Sequence, residues 1–196
     1  AGTLVPGGVE SEAGVDFNYG GASNLQLTFE APLARDANGV TGIGNIAFAA
    51  KYRFLTQDHF GLDVAFFPHL VLPSLSSAVG DQHMSLFLPL WVQKDFGPWT
   101  IFGGGGCTLA QTRFSNDFCE AGLALTREIV EGLRLGGEIF YAGAEESGGK
   151  PNTALGLGLT WDLSDRHHLL AYWGPNLRYP NLNGRSNFYA AMLFTF

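Results

Sequence analysis

Apolar side chains recur at every second position along most of this chain. Leu25, Leu27, Phe29, Ala31 and Leu33 stand opposite Gln26, Thr28, Glu30 and Pro32. Ile46, Phe48, Ala50, Tyr52 and Phe54 alternate with Asn45, Ala47, Ala49, Lys51 and Arg53, and Leu155, Leu157, Leu159, Trp161 and Leu163 with Gly156, Gly158, Thr160 and Asp162. Period two marks a strand with two unlike faces. The pattern predicts eleven strands: Val9–Tyr19, Asn24–Leu33, Ile43–Leu55, Gly61–Leu72, Met84–Asp95, Trp99–Leu109, Phe118–Ile129, Leu133–Gly143, Thr153–Leu163, His168–Gly174 and Asn187–Phe196.

The last of these resembles the closing strand of a bacterial outer-membrane β-barrel. Phe188, Ala190, Met192, Phe194 and Phe196 share one face, and the chain ends on Phe. A soluble sandwich alternates too, so the minor face is the better guide. It carries Gly, Ala and charge: Glu10, Glu12, Asp16, Glu30, Lys51, Arg53, Asp63, Glu120, Arg134 and Glu138. Such a face suits a wet lumen whose outer wall meets lipid. Connections alternate in length as well. The tight ones are Gly20–Ser23, Thr56–Phe60, Phe96–Pro98, Val130–Gly132 and Ser164–His167. The longer ones are Ala34–Gly42, Pro73–His83, Ala110–Asp117, Ala144–Asn152 and Pro175–Ser186. That rhythm is the one of periplasmic turns and extracellular loops. Phe17, Tyr19, Tyr52, Phe54, Trp99, Trp161 and Phe196 then form a girdle near the tight turns.

The expected fold is all-β: one domain over 1–196, a transmembrane, antiparallel, up-and-down β-barrel. Eleven strands with Phe196 at the periplasmic end put Ala1 outside, whereas single-chain bacterial barrels have even strand numbers. The favoured count is therefore twelve, with one strand preceding Ala1. The alternative is ten, with Val9–Tyr19 as a lid or plug.

Composition narrows the classes. The chain has 196 residues and is 46% hydrophobic, yet no run nears the roughly 20 apolar residues of a membrane helix. Its 27 Gly and 16 Phe suit turns and aromatic belts. A net charge of -7 without a basic run argues against nucleic acid. The absence of a signal peptide fits a mature or trimmed exported sequence. No zinc pattern or cofactor motif is present; Gly103–Gly106 lacks the Lys-Ser or Lys-Thr of a phosphate loop. Cys107 and Cys119 sit opposite each other if one hairpin has its apex near Arg113. Two readings are open: a cross-strand disulfide, or two small lipid-facing residues.

Several stretches resemble one family of outer-membrane channels, the one associated with the meta-pathway of phenol degradation. They are Asn24–Leu33, Gly44–Leu55, Leu88–Trp99 with Gly103–Gly106, Leu133–Phe140 with Gly148-Gly149, and His167–Leu170. The pattern around Trp91, Lys94 and Gly97–Trp99 is the most specific. The resemblance implies a twelve-stranded barrel passing small, mostly apolar molecules. Two departures stand out: the family's first strand is missing, and Cys107 and Cys119 replace expected aromatics.

Alternation turns Asp63, Phe67, His69, Phe87, Pro89 and Trp91 inward. Phe67, Phe87 and Trp91, with His69, are the candidate solute path, since aromatic faces suit a planar apolar solute. A packed plug is the competing reading. Pro32, Pro68 and Pro89 cannot donate to a ladder. Pro68 and Pro89 lie on neighbouring strands, so they are candidates for a lateral gate; curvature-shaping bulges are the alternative. Glu30, Lys51, Arg53, Asp63, Glu120, Arg134 and Glu138 are expected to form a lumen charge network. An enzyme reading rests on His83, Ser85 and Asp81, a set too unspecific to favour. A structural or adhesive barrel is a third reading, disfavoured by short loops. The function expected is passive uptake of small hydrophobic or aromatic compounds by a monomer surrounded by outer-membrane lipid and lipopolysaccharide, without enzymatic activity, metal or cofactor.

Overall fold

The alternating segments become strands that pair in sequence order, each antiparallel to the next. The computed structural model describes residues 2–5, 8–110 and 115–196. The strands are β1 (Gly2–Val5), β2 (Gly8–Ala22), β3 (Leu25–Arg35), β4 (Thr41–Ile43), β5 (Ala47–Leu55), β6 (Asp63–Phe66), β7 (His69–Val71), β8 (Ser85–Phe96), β9 (Trp99–Ala110), β10 (Phe118–Val130), β11 (Leu133–Ala142), β12 (Asn152–Ser164), β13 (His167–Pro175) and β14 (Ser186–Phe194). One-turn helices α1 (Gln57–Phe60) and α2 (Pro180–Asn183) sit in two connections. The up-and-down order was expected; the expected apex near Arg113 lies outside the described residues.

The first pairing differs from expectation. Gly2–Val5 lies between β2 and β14, pairing Gly2 with Ser11 and with Phe188. The expected occupant of that place was a strand from upstream of Ala1. The expected Ile43–Leu55 strand is divided into β4 and β5. Leu33 pairs with Ile43, whereas Leu25 pairs with Tyr52, so one extra residue lies in 44–46. Pro32 stands opposite this bulge and its carbonyl accepts from the Gly44 N–H at 2.9 Å. A strand that faces a proline has one partner fewer, and a bulge absorbs the mismatch.

The molecule is inside out relative to a soluble globule. Phe17, Tyr19 and Leu157 are 63%, 70% and 67% exposed, and many other large apolar residues of the major face, Phe48, Leu123 and Leu155 among them, are exposed with them. The buried apolar residues include the small Ala47, Ala49 and Ala154. Accessible surface totals 12091 Å², whereas a compact globule of this mass has about 9,000 Å². The excess belongs to a wall with two accessible faces. In the wall, Phe17 stacks on Phe29 and Phe29 packs against Phe48 tilted by 48°, and at the tight-turn end Arg127 lies over Trp99. Gly97 and Gly132 supply the positive φ those turns require, at 58° and 76°.

Cys107 and Cys119 are bonded, directly opposite each other on β9 and β10. They also stand on the outward face, beside Leu88 of β8. The bond closes a loop of 12 residues in sequence separation, and a constraint of that length is worth about 3 kcal/mol. Replacing both cysteines by alanine should lower the unfolding midpoint in denaturant without changing channel behaviour, measured by tryptophan fluorescence in detergent.

Candidate functional site: the lumen and its two mouths

Pairing fixes which side chains share the lumen. His69 pairs with Phe87, Ala65 with Trp91 and Asp63 with Gln93, so the odd-numbered residues of β6, β7 and β8 line one face. Three of their rings form a ladder. Phe67 and His69 lie 4.2 Å apart between centroids, and His69 and Phe87 5.8 Å. The Lys51 ammonium sits 4.6 Å above the Phe67 ring, a cation–π contact that holds a charge in the lumen without a carboxylate. Trp91 does not join this patch, contrary to expectation. It stacks on Phe102 at 5.2 Å and 16°, lower in the wall. Phe102 was missed, although alternation in Trp99–Leu109 already turned it inward with Gly104 and Gly106.

The glycines of β9 make this arrangement fit. A Cβ at Gly104 would lie 3.0 Å from the Trp91 ring, and one at Gly106 2.4 Å from the Pro89 Cα. Across the lumen Tyr172 does the same: its ring fills the space a Cβ on Gly156 would take.

The expected charge network does not assemble as one network among the described residues. Arg53 pairs with Asp63 at 3.4 Å. Lys51 goes to Phe67, and Arg134 donates to Thr100 at 3.4 Å. Glu30 lies across from Asp16, a like charge. Glu138 lies across from Gly156 on β12, and Glu120 faces a cavity at the loop end. The charges therefore act locally: long side chains reach partners one or two strands away.

The three prolines also differ from expectation. Phe66 pairs with Leu90 and His69 with Phe87 in one unbroken register, so Pro68 and Pro89 sit in a continuous ladder without a bulge. The Pro89 carbonyl accepts from Phe67 N–H, and the Pro68 carbonyl from Ala50 N–H, each at 3.1 Å. Each pair keeps one bond and lacks the one its proline cannot donate. Pro89 is under 2% exposed. Pro32 alone faces a bulge. The wall is thinned at Pro68 and Pro89, not open.

Each mouth has a recess. At the tight-turn end, about 510 Å³ is lined by polar groups including Arg53, Asp58, His59, Asp63 and Asp95. The Gln57 side chain clasps the Asp95 backbone there, donating to its carbonyl and accepting from its N–H. At the loop end, about 270 Å³ lies above the ring ladder, with His69 and Phe87 as its floor. His83, Ser85 and Asp81 all line it. No hydrogen bond joins them among the described residues, so a nucleophile–base–acid relay is not set up. Among the described residues no group of His, Cys, Asp and Glu has the geometry of a metal site.

A family model described as the putative MetA-pathway of phenol degradation matches residues 8–191. The chain belongs to this family. Its fold is that of an outer-membrane channel. The crystal structure of an outer-membrane channel from Pseudomonas putida F1 superposes with a TM-score of 0.68 at 17% identity, covering 97% of this chain and 88% of that one. A loop L8 deletion mutant of OmpT, an outer membrane protein of Vibrio cholerae, matches at a TM-score of 0.34 and 14% identity, over 94% and 79%. That second likeness is too weak to argue from. No curated protein matches the chain at a significant level. Family and fold together place the protein in the bacterial outer membrane as a β-barrel of the channel type.

Proposed function

We propose that the chain is a monomeric outer-membrane channel for passive, energy-independent uptake of small hydrophobic or aromatic compounds. The wall is a closed barrel of twelve staves. β4 and β5 share one stave, β6 and β7 share another, and the β1–β14 pairing closes the ring. The observation that carries the reading is the Phe67–His69–Phe87 ladder, an apolar strip inside a polar lumen, lying directly beneath the loop-end cavity. A planar solute leaving water gains contact with these faces and moves inward along them. Single-channel conductance in a planar bilayer tests it. Small steady openings that aromatic solutes block support the reading; a conductance indifferent to them rejects it.

Lateral release into the membrane is part of the proposal, at the thinned wall. Opening there breaks Phe67 to Pro89 and Ala50 to Pro68, two bonds where an ordinary ladder would offer four. Pro68→Val with Pro89→Val restores two donors. At about 1 kcal/mol each, they would slow release roughly tenfold or more, with ion conductance unchanged. Uptake of an apolar solute into proteoliposomes reads this out, and an unchanged rate removes the lateral route.

A further inference from the structure

The loop-end cavity carries a charge pattern that uptake of neutral aromatics does not call for. Its described lining contains three carboxylates, Asp81, Glu120 and Glu145, and no lysine or arginine. The bases present are His69 and His83. Phe87 and Phe118 supply aromatic walls, with Ser85, Thr108 and Ser115 as hydroxyls. Asn45 holds the Asp81 backbone from both sides, donating to its carbonyl at 2.8 Å and accepting from its N–H at 2.7 Å, so this carboxylate is fixed at the rim. The volume, about 270 Å³, exceeds the roughly 150 Å³ that admits benzene and leaves room for a short substituent.

A second feature shows what the ring ladder accepts. The protein places its own ammonium, that of Lys51, 4.6 Å over Phe67 at the lower end. Phe87 is the corresponding ring at the upper end, and it faces the cavity rather than a lysine. An ammonium entering there meets an aromatic face with carboxylates beside it, whereas Lys51 has the face alone. Cation–π attraction and ion pairing then add, and both are stronger where water is partly excluded.

We infer that the loop-end cavity is a receiving site for small arylalkylammonium ions, which it admits ahead of neutral aromatics while turning aromatic carboxylates away. The inference rests on the channel reading and names a solute class for it. An anionic solute would sit among three carboxylates, with no lysine or arginine in the described lining to meet it.

The experiment uses three probes of similar size, benzylamine, benzyl alcohol and benzoate, as blockers of the single channel at neutral pH. Benzylamine is expected to block at concentrations at least tenfold below those of benzyl alcohol, and benzoate not to block. Glu120→Gln with Glu145→Gln should cut the advantage of benzylamine over benzyl alcohol severalfold, leaving what Asp81 and the Phe87 face supply. Asp165→Asn, which removes one negative charge in the turn between β12 and β13 at the opposite end, should leave the preference intact. Equal block by benzylamine and benzyl alcohol in the unmodified protein overturns the inference alone. So does a preference undiminished by the double substitution, since it would then belong to the acidic lumen at large. If the double variant does not fold, the probe series on the unmodified chain still decides. Conductance indifferent to all three probes overturns the channel reading, and this inference with it.

Discussion

Replacing Gly106 by valine is expected to prevent the barrel from assembling. A Cβ at this position would lie 2.4 Å from the Leu88 carbonyl oxygen and 2.4 Å from the Pro89 Cα, both main-chain atoms of β8. Rotamer changes cannot relieve a clash with backbone. β8 cannot withdraw either, because Pro89 is held in the wall at under 2% exposure. Inserting side-chain volume into a packed interior commonly costs about 1–3 kcal/mol, and here the pairing of β8 with β9 must shift as well. Gly104 is in the same position, its Cβ meeting the Leu90 oxygen at 2.1 Å. The readout is the heat-modifiable band of a folded barrel on a detergent gel, with the yield recovered from membranes. Gly20→Ala is the control, since a Cβ there meets nothing within 4 Å. A Gly106→Val chain that folds at full yield would show that the glycine run is not a requirement of close strand approach.

The glycine run shows where sequence reading reaches its limit. Alternation identified the lipid face, because on that face every second residue must be apolar whatever its neighbours are. Phe48, Leu90, Leu123 and Leu155 lie outward as expected and are exposed. The same rule turned Phe67, His69 and Phe87 inward, and the structure gathers those three. It could not say which inward residues touch, since that depends on register between strands far apart in sequence. Trp91 therefore went to Phe102 rather than to Phe87. Likewise a proline in a strand announces a missing donor but not whether the neighbouring N–H groups stay in register. At Pro68 they do; at Pro32 a bulge takes up the difference. Gly2–Val5 escaped because four residues carry too little alternation to be told from a loop. The lumen charges were identifiable as lumen charges, but their partners depend on reach. Arg53 meets Asp63 one strand away, and Arg134 meets Thr100, an uncharged partner.

Phe67→Ala with Phe87→Ala separates the two roles left open for the ring ladder. As a solute path, the ladder contributes about 1 kcal/mol per aromatic contact, so losing two rings should weaken block by an aromatic solute roughly thirtyfold. Uptake of that solute should fall with it, even though the lumen has become wider. As a packed plug, the ladder would only obstruct, and the same substitutions would raise uptake of every solute. Ion conductance rises in both cases, because two large side chains leave the lumen. The sign of the change in aromatic uptake therefore decides, and conductance serves as the check that the variant is folded and inserted. Lys51 adds a second readout. Once Phe67 is gone, its ammonium loses the ring 4.6 Å below it and turns to water or to carboxylates. Cation selectivity of the widened pore should fall if the freed charge stays in the stream and hold steady if Glu30 or another lumen acid takes it up. Bi-ionic reversal potentials on Phe67→Ala alone measure that shift without disturbing the floor of the loop-end cavity.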